Sequence, residues 1–261
     1  MPYPLAKLPT SPDNITAMDP RHALKLGMAF TKNGLLQALN NLHNLAPAVE
    51  ASRSAFVPFL DYASMTFSIL LLHLEGDDLF FSTPNNSQGK TLQAILGANC
   101  NPTMSAVVGS TKKAQVLIEQ WRKTPEDYTA AALRSAIDFG PHMLELMQAQ
   151  VRSFIDIKRL EGSLTAEEIK TMVAGPLSPP SFQANSDCMD KENVGWFETQ
   201  VGVEALLPFV VSHHDVGASK FWPPIHPDGI ALIPQLIEDN AARWQFAPVH
   251  PVTGEASPWA V

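Results

Sequence analysis

His73 and Asp77 are four residues apart, the spacing that puts an imidazole and a carboxylate on one face of a helix, one turn above the other. They fall in the inward row Phe59, Ala63, Thr66, Leu70, His73, Asp77 and Phe80, whose other polar member is Thr66. A lysine occupies the matching row of an earlier helix, because Met28, Leu35, Leu39 and Leu42 leave Lys32 in their gap. An ammonium alone in an apolar interior is strongly disfavoured, so Lys32 is expected to balance Asp77, with His73 beside the pair. A His of near-neutral pKa and a Lys of altered pKa can act as acid, base or charge stabiliser. The plainer alternative is a buried salt bridge and hydrogen-bond network without chemistry.

The elements that position these groups read as helices. Asp19 and Pro20 start one, since Asp caps free amides and Pro fits the first turn, and Pro47 ends it near Leu45. A second is expected over about Ala55 to Phe81. A loop from Ser82 to Pro102 follows, with one short helix near Thr91 to Leu96. The third, about Thr103 to Lys123, turns Met104, Val107, Thr111, Ala114, Ile118 and Trp121 inward. Tyr128 to Arg159 has helical pattern interrupted at Gly140 and Pro141, and beyond it Met143, Leu146, Gln150, Phe154 and Ile157 form the inner row. Four helices thus bring polar groups to one interior, where Phe67, Met143 and Phe154 supply apolar walls for a ligand.

After these the chain reads as a Pro-, Ser- and Asn-rich linker at about 175–193, a helix from Trp196 to His213, and a Pro- and Trp-rich tail. A last short helix is expected over Pro234 to Arg243. The whole, 1–261, is read as one domain with its bundle at about 20–160 and a C-terminal helix and tail at 194–261.

Inward His and carboxylate groups on antiparallel helices are how bundle proteins hold metal ions. Here the chain resembles the fungal hemerythrin-like, or HHE cation-binding, family. The stretch Met28-Ala29-Phe30-Thr31-Lys32-Asn33-Gly34-Leu35 is similar to its first-helix motif, with Lys32 where a ligand His precedes the Asn. His73-Leu74-Glu75-Gly76-Asp77-Asp78 resembles the paired-His, paired-Glu motif, with Leu74 at the second His. Thr111 stands at the His place of the third helix, and in the fourth Leu146 and Gln150 stand at the His and Glu places of a His-Leu-x-x-Glu-Ile pattern. Leu207-Pro208-Phe209, His213-His214-Asp215, Trp222-Pro223-Pro224 and Trp244-Gln245-Phe246-Ala247-Pro248 look like the family's C-terminal extension.

The resemblance implies an all-α, hemerythrin-like four-helix bundle with extra helices. It also implies a di-iron site of which only His73 and Asp77 remain, and iron or zinc needs three or more donors converging from different elements. The expectation is a cofactor-free pocket for a small, largely apolar molecule. Lys32, His73 and Asp77 are its reactive groups, and Leu74, Thr111, Leu146 and Gln150 join the walls. A metal-independent isomerase or cyclase of fungal natural-product biosynthesis suits such a pocket. Two alternatives stand beside it. One is a non-heme iron protein for oxygen or nitric oxide, with His73, Asp77, His142, His213 and His214 as candidate ligands. The other is a non-catalytic relic of the bundle.

His213, His214 and Asp215 are adjacent in sequence and so point apart; His142 and Glu145 make an exposed i, i+3 pair. His22 and His43 read as surface residues, and Cys100 and Cys188 as ordinary thiols.

With 18 basic against 26 acidic residues and a net charge of −8, the 261-residue chain has no basic cluster to neutralise phosphates, which excludes nucleic acid. The apolar run Ala63 to Leu72 is far shorter than the roughly 20 residues of a bilayer span. No secretory leader is evident at Met1 to Lys7, so the reducing cytoplasm is the expected location. Phe221, Trp222 and Trp244 need apolar cover, either as a lid over the bundle or in a homodimer.

Overall fold

The computed structural model describes residues 3–84, 89–154, 157–174, 203–223, 225 and 227–259. The expected linker, the start of the Trp196 helix, Cys188 and Pro224 lie outside them. Among the described residues the chain is all-α, with ten α-helices and two isolated β-bridges, Pro84 with Thr91 and Val249 with Ala256.

Helix α1 runs Pro20–Leu45, and the Asp19 carboxylate accepts the Arg21 amide at 2.9 Å as its cap. Helix α2 is Phe56–Ser82 and the short α3 is Leu92–Leu96, capped by Thr91 and ended by Gly97 at φ +97°. Helix α4 is Ser105–Lys123. The segment expected as one interrupted helix is three, α5 (Ala130–Ala136), α6 (Gly140–Ser153) and α7 (Ile157–Glu161).

An unexpected helix α8, Ala166–Ala174, follows, and Thr165 with Glu168 forms its reciprocal cap: the Glu168 amide donates to Thr165 Oγ1 at 3.1 Å and the Thr165 amide to Glu168 Oε2 at 2.8 Å. Helix α9 is Val203–His213 and α10 is Pro227–Leu236. The last short helix therefore starts at Pro227 rather than Pro234, because Pro227 suits a first helical turn. A 3-10 run, Glu238–Phe246, continues from it and kinks at Asn240.

Helix α1 packs against α2, α6, α8 and α9, and α2 against α4 and the 3-10 run. One hydrophobic cluster extends from Leu5 and Leu8 through the helices to Trp244, Phe246 and Ala247. Trp222 stacks on Phe30 with centroids 5.4 Å apart, and Phe246 meets Phe59 edge-on at 5.4 Å. The tail rings thus find apolar cover within the chain. Helix α2 is long and apolar enough to cross a membrane by length and composition, yet 67% of its most apolar window is buried inside the molecule.

The N-terminal segment forms a strap along α1. The Leu5 amide donates to Asn40 Oδ1 at 2.6 Å while Asn40 Nδ2 donates to the Leu5 carbonyl at 3.0 Å. Asn33 repeats the pattern on Leu8 at 2.7 and 3.0 Å. Each side-chain amide acts as a peptide group would in a ladder. Tyr3 donates to the Ile137 carbonyl at 2.6 Å, and a Cβ on Gly140 would fall 2.3 Å from its hydroxyl, so only glycine admits the strap there.

Candidate functional site

The inward rows of α1 and α2 bring Lys32, His73 and Asp77 together. Lys32 Nζ lies 2.5 Å from Asp77 Oδ2 and 3.0 Å from His73 Nε2, and His73 Nε2 is 3.4 Å from Asp77 Oδ2. All three side chains are buried. Burial pushes the Lys32 ammonium down from its ordinary pKa, and Asp77 offsets part of that. Burial lowers His73 to about 4; Asp77 opposes the shift and Lys32 adds to it. His73 is therefore neutral at pH 7. Its Nδ1 and Asp77 Oδ1 are buried without a hydrogen-bond partner among the described residues.

Of the trio, His73 lines a cavity of about 30 Å³ at the seam of α1, α2 and α9. Phe30, Leu35, Ile69, Leu206, Phe209 and Trp222 make most of its wall, and Thr31, whose hydroxyl has no partner among the described residues, is a second polar residue on it. A larger chamber of about 210 Å³ adjoins, sharing Phe30, Gly34 and His214 and adding Lys7, Asn33, Gln37 and Asp215. Gly34 is what opens the seam: a Cβ there would meet only His213 Cβ, at 3.9 Å.

The remaining expected wall residues lie elsewhere. Phe67, Met143, Phe154 and Leu74 are buried in the hydrophobic cluster, Leu146 is partly buried against it, and none lines either cavity. The Thr111 hydroxyl donates to the Val107 carbonyl at 2.8 Å. Gln150 is fully buried with both amide atoms unpartnered among the described residues. Inward rows fill their own interior, so open space falls instead where α9 crosses a helix lacking a side chain at Gly34. Phe30, Thr31, Gly34, Phe209 and Trp222 were missed for that reason. The available signal was a Thr–Lys pair and a mid-helix Gly within four residues of α1.

The other histidines separate. His213 is buried between Tyr62 and Phe209, with Nε2 2.7 Å from the Tyr62 hydroxyl and Nδ1 2.8 Å from the Phe209 carbonyl. Burial lowers it to about 4. His214 Nε2 meets the Ser219 carbonyl at 2.7 Å, and Asp215 pairs with Lys7 at 2.5 Å. His142 faces Glu145 at 3.8 Å on the exposed side of α6, and His22 faces Glu161 at 3.6 Å. His43, expected at the surface, is partly covered because Tyr3 of the strap stacks on it at 4.4 Å. Cys100 is a buried free thiol, held protonated by burial at a pKa of about 11.

A di-iron centre does not fit this donor set. His73 and Asp77 both face Lys32, whose Nζ stands where a shared cation would stand. No group of three or more His, Cys, Asp or Glu is placed to hold a metal among the described residues. Comparison of the chain with protein-family models, curated proteins and solved structures finds no match.

Proposed function

We propose that the chain is a metal-independent, small-molecule enzyme of isomerase or cyclase type, built on a hemerythrin-like arrangement of α1, α2, α4 and α6. The observation that carries this reading is His73: a neutral imidazole set between a buried ion pair and an apolar cavity, with one ring nitrogen unpartnered. Such a group can move a proton or polarise a bound substrate while Lys32 and Asp77 hold its orientation. A small, largely apolar substrate from natural-product formation suits such a pocket.

A thermal-shift screen of small apolar natural products against the native chain and His73→Phe tests it. Compounds that stabilise the native chain and not the variant are expected. Near-stoichiometric iron, manganese or zinc in protein purified without chelator, lost on His73→Phe, overturns the metal-independent reading.

A second reading, a non-catalytic relic, is favoured by the packing of Leu74 and Thr111 and by an inner cavity of only about 30 Å³. It predicts that no compound distinguishes the two proteins.

A further inference from the structure

Resting on that reading, we infer that the His73 site takes an apolar molecule whose polar anchor is a hydrogen-bond-accepting oxygen, a ketone or an ether, received by the Nδ1–H of His73. The tautomer follows from Lys32. As the ion-pair partner of the Asp77 carboxylate, Lys32 is an ammonium, which has donors only, so Nε2, 3.0 Å from Nζ, is the accepting nitrogen. A neutral imidazole has a single N–H, which therefore sits on Nδ1. That N–H has no acceptor among the described residues, although His73 is only 3% exposed.

The wall it joins is otherwise apolar, apart from Thr31 and from His214, whose Nε2 already meets the Ser219 carbonyl. The hydroxyl of the half-buried Thr31 behaves unlike those of two buried helical threonines. Thr66 and Thr111 fold back onto the carbonyls of Tyr62 and Val107 at 2.9 and 2.8 Å, whereas Thr31 Oγ1 has no partner among the described residues. His73 and Thr31, each with a buried polar atom that has no partner among the described residues, belong to one apolar wall and select a ligand with one oxygen-bearing end. An amine would set donor against donor at Nδ1, and an anion would meet the Asp77 carboxylate behind the ring. The inner cavity, about 30 Å³, admits such a head group, and the body extends past Phe30 and Gly34 into the 210 Å³ chamber.

Long-range proton–nitrogen correlation NMR on ¹⁵N-labelled protein at pH 7 reads the tautomer directly, with His73 assigned by its loss in His73→Phe, or in His73→Gln should the first variant not fold. Titration with 1-indanone and with its hydrocarbon counterpart indane then reads the anchor. The expected result is a proton on Nδ1 of His73, a shift of that proton with indanone, and about tenfold tighter binding of indanone than of indane. A proton on Nε2 overturns the inference. Equal binding of the two probes also overturns it while leaving an apolar small-molecule pocket standing. Binding of neither overturns the inference, and failure of the wider compound screen as well would remove the proposed function with it.

Discussion

Two buried histidines of equal exposure, 3% each, sit in opposite circumstances. His213 is satisfied on both sides: Nδ1 gives its proton to the Phe209 carbonyl, and Nε2 takes one from Tyr62, whose hydroxyl accepts in turn from Asn41 Nδ2 at 2.9 Å. Asn41 also reaches the Phe246 carbonyl at 2.5 Å, so the chain of bonds ties α1, α2, α9 and the tail together. Among the described residues His73 is satisfied on one side only, against an ion pair that keeps a second unpartnered atom at Asp77 Oδ1. A complete network rigidifies a core, while an incomplete one carries a standing cost unless something else completes it. The contrast assigns His213 to architecture and singles out His73 as the group proposed for chemistry.

The sharpest way to break that contrast is at the ion pair. Lys32→Met strands the Asp77 carboxylate and is expected to cost about 3–5 kcal/mol in chemical denaturation. The double variant Lys32→Met/Asp77→Leu should return to within about 1 kcal/mol of the native chain. A double variant as unstable as the single would mean that the pair itself supports the fold.

Acid titration treats the two histidines alike. Both are held at about 4 by burial, below the ~6.5 of an unfolded chain. Protonation therefore favours unfolding. The stability they contribute is present above pH ~6.5, is lost as pH falls toward 4, and amounts to about 3 kcal/mol for each. His73→Phe and His213→Phe should each remove about half of that acid sensitivity, read from denaturation midpoints at pH 7 and pH 4.5.

At neutral pH the pair should diverge. His213→Phe leaves the Tyr62 hydroxyl and the Phe209 carbonyl short of a partner, for a loss of about 1–3 kcal/mol. Combined with Tyr62→Phe it should cost less than the two separate losses together. The smallest effect is expected at the threonines: Thr111→Val loses about 1 kcal/mol, and Thr31→Val stays within about 0.5 kcal/mol because its hydroxyl has no partner among the described residues.

The trio was legible in the sequence because it depends on helical period alone. Lys32, His73 and Asp77 occupy gaps in apolar rows, and α1 has clear signals at Asp19, Pro20 and Pro47. What period cannot show is where neighbouring helices fail to fill space. The cavity beside His73 arises from Gly34 and from the approach of α9, a tertiary event with no local signature. The His213 network was hidden likewise, since its partners Tyr62 and Asn41 come from separate helices 151 and 172 residues earlier. Helix α8 was overlooked although Thr165 and Glu168 make a readable cap.

The strap shows a different kind of specification. Asn33 and Asn40 are seven residues apart, about 10.5 Å along a helix, and Leu5 and Leu8 are three residues apart, about 9–10 Å along an extended chain. Two rulers of different pitch thus come into step at both marks, as on a vernier scale. Such a match is written in length rather than in residue type. Ala6 between the marks is exposed, but one residue inserted or deleted there would leave only one of the two rungs able to stay in step.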